Sequence, residues 1–411
     1  MLNDLSSYLW IVTTLIVIIS AIFLIFYYNF TNSKLLTNVK LLNKESLKLL
    51  NLSLAGKIGV GSISGVAISI IIGGKGTIFW IWISSFILSI YTYLETKVGF
   101  IYKEKINNNY IGGSFIFLEK KLNKKYLSFF YLILLIITYL FSFILIQSNT
   151  IIISFKNILP INSYFILLLL IVIILYSISN GINRIISIVN ILVPLMGIIY
   201  LIIGIYIMMN NINILSTIIV NIFKESINIK SIMTLPFFIG FQRSIFSNET
   251  CTGSTSIVVS LSNSKDYKQE YFFQLIGLYY ITLIICTISA IIIMTTDYNF
   301  ICSSSINGIE IINYAFRYHF GFYGPLISTL IISLFAFSTI ITSFYYGNII
   351  LNYITKNNNN TITKIIVIIV IVLSLFINPG NIWAFVDIST GLLTLINVYS
   401  LIKMRKYLKE E

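Results

Sequence analysis

Apolar runs of about 20 residues recur along the whole 411-residue chain, each long enough to cross roughly 30 Å of hydrocarbon as a helix. Backbone amides have no water to bond inside a bilayer, so such runs fold as membrane helices that satisfy their own N–H and C=O groups. Composition agrees: 57% of the residues are hydrophobic and 10% charged, against about a quarter charged in a soluble domain. Disorder, collagen and a secreted disulfide scaffold are excluded by the same balance. Cys251, Cys286 and Cys302 show no paired spacing and suggest neither a disulfide framework nor a zinc site.

Eleven runs qualify: 9 to 28, 50 to 73, 77 to 101, 127 to 155, 162 to 179, 186 to 209, 234 to 260, 271 to 294, 323 to 351, 362 to 377 and 382 to 403. The first has neither Lys or Arg before it nor a small-residue cleavage site after it, so it reads as a retained helix rather than a signal peptide. The formal net charge of +13 resolves into loops. Eighteen Lys and Arg residues follow odd-numbered spans, among them Lys34, Lys40, Lys44, Lys48, Lys120, Lys121, Arg184, Lys265 and the tail at 404 to 411. Five fall on the other side: Lys75, Lys156, Lys224, Lys230 and Arg317. By the positive-inside rule the richer side is cytoplasmic, with the N-terminus outside and the C-terminus inside. The basic excess is thus orientation in a multi-pass plasma-membrane protein, not a nucleic-acid footprint.

Two spans are interrupted. The second carries Gly56, Gly59, Gly61 and Gly65; the seventh carries the polar stretch Phe246-Ser247-Asn248-Glu249-Thr250-Cys251-Thr252-Gly253-Ser254. Glycine and hydroxyl residues at membrane depth either allow close helix packing or free backbone groups for a ligand. With span one set aside, the interrupted spans open two sets of five, 50 to 209 and 234 to 403. Breaks at corresponding positions of two halves point to an inverted-repeat transporter with its site at the midplane. Half-helix amino ends would face a carboxylate and freed carbonyls a cation, which suits a zwitterionic or anionic solute coupled to Na⁺ or H⁺.

Leu54-Ala55-Gly56-Lys57-Ile58-Gly59-Val60-Gly61-Ser62-Ile63-Ser64-Gly65-Val66-Ala67, running on to Gly73-Gly74-Lys75-Gly76 and Trp80-Ile81-Trp82, resembles the signature of the alanine/glycine:cation symporters, the sodium:alanine symporter family. Arg243 to Glu249 with Gly253-Ser254, Phe335-Ala336-Phe337-Ser338-Thr339 with Tyr345-Tyr346-Gly347, and Trp383-Ala384-Phe385-Val386-Asp387 with Asn397 resemble three further blocks in family order. Gly112-Gly113 and Gln147-Ser148-Asn149 also fit. The resemblance covers most of the chain. It implies the LeuT-like fold of the amino acid, polyamine and organocation superfamily: an all-α polytopic protein of about 11 transmembrane helices, a 5+5 inverted repeat with one extra N-terminal helix. It also implies Na⁺-coupled uptake of a small neutral amino acid by alternating access, with Na⁺ as coupling ion, no organic cofactor and a monomer as the favoured unit. Na⁺ would be held by the carbonyls of Ala55 and Ile58 and the hydroxyls of Ser338 and Thr339. Substrate contacts would come from Gly59, Gly61, Ser62, Gln147, Thr252, Gly253, Ser254 and Ser343.

This chain departs from the family pattern in places. The family commonly has Asn where Ser62 stands, Met where Thr252 stands and Trp where Ser343 stands. The last two exchanges remove bulk and add hydroxyls, so a pocket they line would take a larger or more polar substrate than alanine, such as serine, threonine or glutamine.

Ionisable residues at membrane depth are functional hypotheses by default. Lys57, Glu95, Arg243, Glu249 and Asp387 qualify as gate or ion-pair candidates, with Lys57 open to snorkelling, Arg243 and Glu249 to pairing around the second break, and Asp387 to a polar link with span eleven. His319 falls in an outer loop, 295 to 322, and reads as a surface residue without partners. Asn357 to Asn360 reads as a cytoplasmic turn. No nucleotide loop or nucleophile constellation appears, so an enzyme or an ATP-driven pump is disfavoured. A Na⁺-independent or H⁺-coupled exchanger of the same fold is the nearest alternative; an ion channel is a more distant one, since no filter-like loop is present.

Overall fold

The computed structural model describes residues 2–32, 39, 43–106, 109–179, 181–227, 235–264, 266–303, 308–356 and 360–410. Lys34, Lys40, Lys230, Lys265 and Asn357 to Asn359, all part of the loop reading, lie outside these residues. Among the described residues, the regular structure is helical apart from one small hairpin. In order come α1 (Leu2–Tyr28), α2 (Lys44–Lys57), α3 (Val66–Gly73) and α4 (Thr77–Ile101). The hairpin β1 (Glu104–Ile106) and β2 (Asn109–Ile111) follows, with Lys105 opposite Tyr110. Next are α5 (Ser114–Lys120), α6 (Lys125–Lys156), α7 (Ser163–Ile178), α8 (Gly181–Asn210) and α9 (Ile212–Ile227). The second half holds α10 (Leu235–Asn248), α11 (Ser254–Val259), α12 (Tyr267–Met294), α13 (Tyr298–Ser303), α14 (Ile309–Phe320), α15 (Gly324–Thr355), α16 (Thr361–Leu373) and α17 (Pro379–Glu410).

Among the described residues, seven helical segments are long and apolar enough to cross a bilayer; counting the bent pair Lys44–Lys57 and Gly61–Gly73 as one span makes eight. These eight coincide with eight of the eleven apolar runs. The remaining three are helical but do not qualify on length and apolarity alone. α7 and α16 have 16 and 13 residues, and the run 234 to 260 is split between α10 and α11. α16 ends at Leu373, and the turn at 374 to 376 takes up most of the rest of the run.

Local chemistry sets the ends of these helices. Asn43 caps α2, its side chain accepting from the amides of Glu45 and Ser46, and Asp266 caps α12 through the Lys268 amide at 2.8 Å. A π-helical turn at Gly61–Gly65 leads into α3, and others interrupt α6 at Ile137–Phe143 and α12 at Tyr280–Ile285; such turns often mark functional positions.

Three segments read as loops are ordered helix or hairpin. α9 lies between α8 and α10 and docks through Glu225, whose carboxylate accepts from the amides of Lys75 at 2.8 Å and Gly76 at 3.3 Å. The outer loop 295 to 322 contains α13 and α14. His319, on α14, is half-buried with Nε2 at 3.1 Å from both Thr295 Oγ1 and the Ile292 carbonyl, which corrects the reading of a partnerless surface residue.

α1 runs parallel to α17. Trp10 Nε1 donates to the Asp387 carbonyl at 2.9 Å near one end, and Tyr28 OH donates to the Arg405 carbonyl at 2.8 Å near the other. Trp10 is 1% exposed although most of its helix faces outward, so the first helix is a packed part of the fold. The buried interior between α2, α4, α6, α10, α15 and α17 is unusually polar, and it contains both interrupted segments.

Candidate functional site between two broken helices

The first break begins where α2 ends. Ile58 leaves helical backbone at φ −86°, ψ 80°, and the axis turns by 58° before α3 continues. The carbonyls freed there find partners on α15. Ser338 and Thr339 both donate to the Ala55 carbonyl, at 3.2 and 3.0 Å, while also bonding the Phe335 carbonyl of their own helix. All these groups are buried. A hydroxyl that donates still has lone pairs, so a carbonyl and two hydroxyls converging in a buried site form a hard-oxygen donor set suited to Na⁺. Ile58 sits beside this set, its N–H on the Leu54 carbonyl at 2.7 Å.

Gly59 and Gly61 are dictated by close approach. A Cβ on Gly59 would lie 2.6 Å from both Gln147 Nε2 and Thr339 Oγ1, and one on Gly61 would enter the Phe246 ring at 2.2 Å. Gln147, buried on α6, accepts the Val60 amide through Oε1 at 3.1 Å, and Ser62 bonds the Gly59 carbonyl at 2.9 Å. Gln147, Thr339 and the first break therefore share one small volume. Ser343 is one helical turn from Thr339 on α15, buried, with a hydroxyl that has no partner among the described residues.

The second break spans Glu249 to Gly253. Glu249 (φ 47°), Cys251 (φ 69°) and Gly253 (φ 93°) are left-handed, a conformation that costs L side chains energy and persists only when surroundings hold it. The surroundings here are specific. Gly253 donates its amide to Glu95 Oε1 at 3.0 Å, and Asn397 Nδ2 bonds the same oxygen at 2.7 Å. Tyr131 OH lies at 3.1 Å from the Thr252 carbonyl and 3.0 Å from Asn397 Oδ1. Tyr139 OH meets Thr252 Oγ1 at 3.0 Å, and Ser254 Oγ lies 3.5 Å from the Glu249 carbonyl. The two breaks touch: Ser247 Oγ is 3.4 Å from the Gly61 carbonyl, and Lys57 Nζ is 3.3 Å from Thr255 Oγ1.

The charged candidates fall into two groups. Arg243 pairs with Asp387, Nη1 to Oδ1 at 3.3 Å, both nearly buried, and lies 5.1 Å over the Trp383 ring and 5.9 Å over Phe246. Arg243 therefore reaches across to α17 instead of pairing with Glu249. Lys57 does not snorkel; it is 4% exposed and within electrostatic reach of Glu249 and Glu95. Sequence spacing gave no sign of this exchange, because both contacts cross more than 140 residues or join separate helices.

An aromatic chain runs beside the two breaks. Trp383 lies 6.1 Å from Phe246, Phe246 5.6 Å from Phe143, Phe143 5.3 Å from Tyr139 and Tyr139 4.9 Å from Tyr346, measured between ring centres. Sequence reasoning missed Phe143, Tyr139 and Tyr131. The available signal was their position on the helix of Gln147, at spacings of four and eight that share one face.

The chain is similar to several known transporters in sequence and in fold. The amino-acid carrier protein AlsT of Bacillus subtilis is 25% identical over 86% of this chain and 76% of its own. An uncharacterized transporter of Escherichia coli, YaaJ, is 31% identical over 74% and 66%. The sodium/alanine symporter AgcS of Methanococcus maripaludis is 26% identical over 74% and 69%. In fold, the chain is similar to a Na⁺-coupled sialic acid symporter, at a TM-score of 0.56 and 14% identity over all of this chain and 85% of that one. It is similar too to the manganese transporter of Eremococcus coleocola, at a TM-score of 0.56 and 11% identity over 89% and 79%. The profile of the sodium:alanine symporter family matches residues 1–411, and the chain belongs to that family of secondary amino-acid transporters.

Proposed function

We propose that this multi-pass membrane protein takes up a neutral amino acid together with Na⁺ by alternating access. The observation that carries the reading is the convergence of the Ser338 and Thr339 hydroxyls on the Ala55 carbonyl at the end of a broken helix. Na⁺ is a co-substrate in this account. Ala55, Ile58, Ser338 and Thr339 would hold it, and its charge would draw the two half-helices and α15 together.

The amino acid binds beside the ion, between the breaks, against Gly59, Gly61, Ser62, Gln147, Thr252, Gly253, Ser254 and Ser343. Phe246 and its ring neighbours cover it. Small residues let the backbone approach the ligand, and freed amides at the start of α11 suit its carboxylate. With Thr252 and Ser343 in place of bulkier groups, the substrate is larger or more polar than alanine: serine, threonine or glutamine.

Residues 50–209 and 234–403 form two five-helix repeats of opposite topology, eleven crossings in all with α1. In support, the two breaks lie face to face and α1 runs parallel to α17, as two odd-numbered spans do. That pairing puts the Tyr28 end of α1 at the level of the basic tail, as an outside N-terminus and a cytoplasmic C-terminus require. Proteoliposome uptake with a panel of unlabelled competitors tests the substrate. Competition by serine, threonine or glutamine is expected; glycine and alanine outcompeting all others would refute the larger pocket.

A further inference from the structure

The charges between the two breaks do not sum to zero. Lys57, Glu95 and Glu249 are 4%, 0% and 2% exposed, and one ammonium faces two carboxylates. Arg243 is spent on Asp387. Glu95 Oε1 accepts from Gly253 and Asn397, but Glu95 Oε2 and both oxygens of Glu249 receive no hydrogen bond, although the hydroxyls of Ser254 and Tyr139 lie beside Glu249. A buried, unpaired carboxylate costs several kcal/mol or more, and proteins meet that cost by pairing the group or neutralising it.

Among the described residues, every other titratable group facing the pair is neutral in its ordinary state: Tyr131 and Tyr139 from α6, Tyr346 from α15, and Cys251 in the break itself. α11 and α17 contribute only Thr255, Ser254 and Asn397. The cluster is therefore short of one positive charge. Because an ammonium already stands at its edge, a second metal cation there would sit against Lys57, whereas a proton adds no like charge beside it once it becomes part of a carboxyl group.

We propose that Glu95 and Glu249 together hold one exchangeable proton while the two breaks are packed against each other, and give it to water when the breaks separate. The proton resides on one of the two carboxyls as O–H, which removes the charge in excess and gives that group a donor. Lys57 stays charged. Closing the site is thereby linked to uptake of one proton, a step distinct from Na⁺ binding at Ala55, Ser338 and Thr339. The proposal rests on the transporter reading only for its kinetic consequence.

Infrared spectroscopy of the full-length protein in lipid vesicles, with saturating Na⁺ at neutral pH, reads the proton directly. A protonated carboxyl band shielded from solvent exchange is expected, and it should be lost in both Glu95→Gln and Glu249→Gln; if one variant fails to fold, the other and the wild-type band remain decisive. Absence of the band from the wild type, or its persistence in both variants, would overturn the proposal. In proteoliposomes, wild-type uptake at saturating Na⁺ should fall with alkaline pH, approaching about tenfold per unit for one proton. A flat profile would overturn it, as would loss of one transported Na⁺ per cycle in Glu249→Gln, which would place a metal ion in the cluster. Failure of amino acid transport altogether would leave the infrared result standing.

Discussion

Thr339 donates its hydroxyl to the carbonyl of Ala55 at 3.0 Å, joining the middle of α15 to the last turn of the first half-helix across 284 positions of sequence. Removing that hydroxyl without changing shape separates coordination from packing. Thr339→Val should raise the Na⁺ concentration for half-maximal uptake by about tenfold, equivalent to about 1.4 kcal/mol, with little change in expression. Ser338→Ala should act in the same direction. Titration of uptake against Na⁺ checks both, and an unchanged half-saturation would remove these residues from the ion site.

Gly253 combines a left-handed φ of 93° with a Cβ position 2.1 Å from Tyr131 OH. Gly253→Ala should cost about 1–2 kcal/mol from backbone strain alone, plus the clash, and lower the melting temperature of the detergent-solubilised protein. Adding Tyr131→Phe should recover only the clash, because the backbone conformation remains unfavourable. Full recovery would show that the αL geometry carries no cost here.

The Arg243 and Asp387 pair should behave as a buried salt bridge. Breaking it from one side, with Asp387→Asn or Arg243→Met, should destabilise by about 3–5 kcal/mol, since the remaining charge is left unpaired. Replacing both by apolar residues should cost clearly less than the sum of the singles. A thermal-shift double-mutant cycle measures the coupling, and additive effects would contradict it.

How far the site was readable in advance depended on the kind of residue. Glycine and hydroxyl clusters in apolar runs mark a break whatever surrounds them, so the segments around Gly59 and Gly253 stood out. Ser338 and Thr339 came from family resemblance. The partners of Lys57, Glu95, Arg243 and Asp387 were hidden, because a buried charge states the need for a partner and not its address. Arg243 lies six residues from Glu249, yet it meets Asp387 on α17. Helix α9 was missed for a different reason: its alternation of apolar and polar residues is too short in apolar content to register as a span, and Glu225 anchors it through contacts to Lys75 and Gly76 on the far side of the sequence.

Ser343 stands where the family commonly carries Trp, and its buried hydroxyl has no partner among the described residues. Refilling that space should narrow selectivity. Ser343→Trp, alone or with Thr252→Met, should shift competition toward alanine and glycine by about 10-fold or more, as expected for loss of pocket volume. An unchanged competition order would place both residues outside the pocket.

The central claim is that amino acid and Na⁺ cross together. Purified protein in proteoliposomes, clamped in voltage and pH, should show influx of radioactive sodium and of labelled amino acid that each require the other, with accumulation driven by an inward Na⁺ gradient. Accumulation that persists when Na⁺ is replaced by choline, or that follows a pH step alone, would contradict the account.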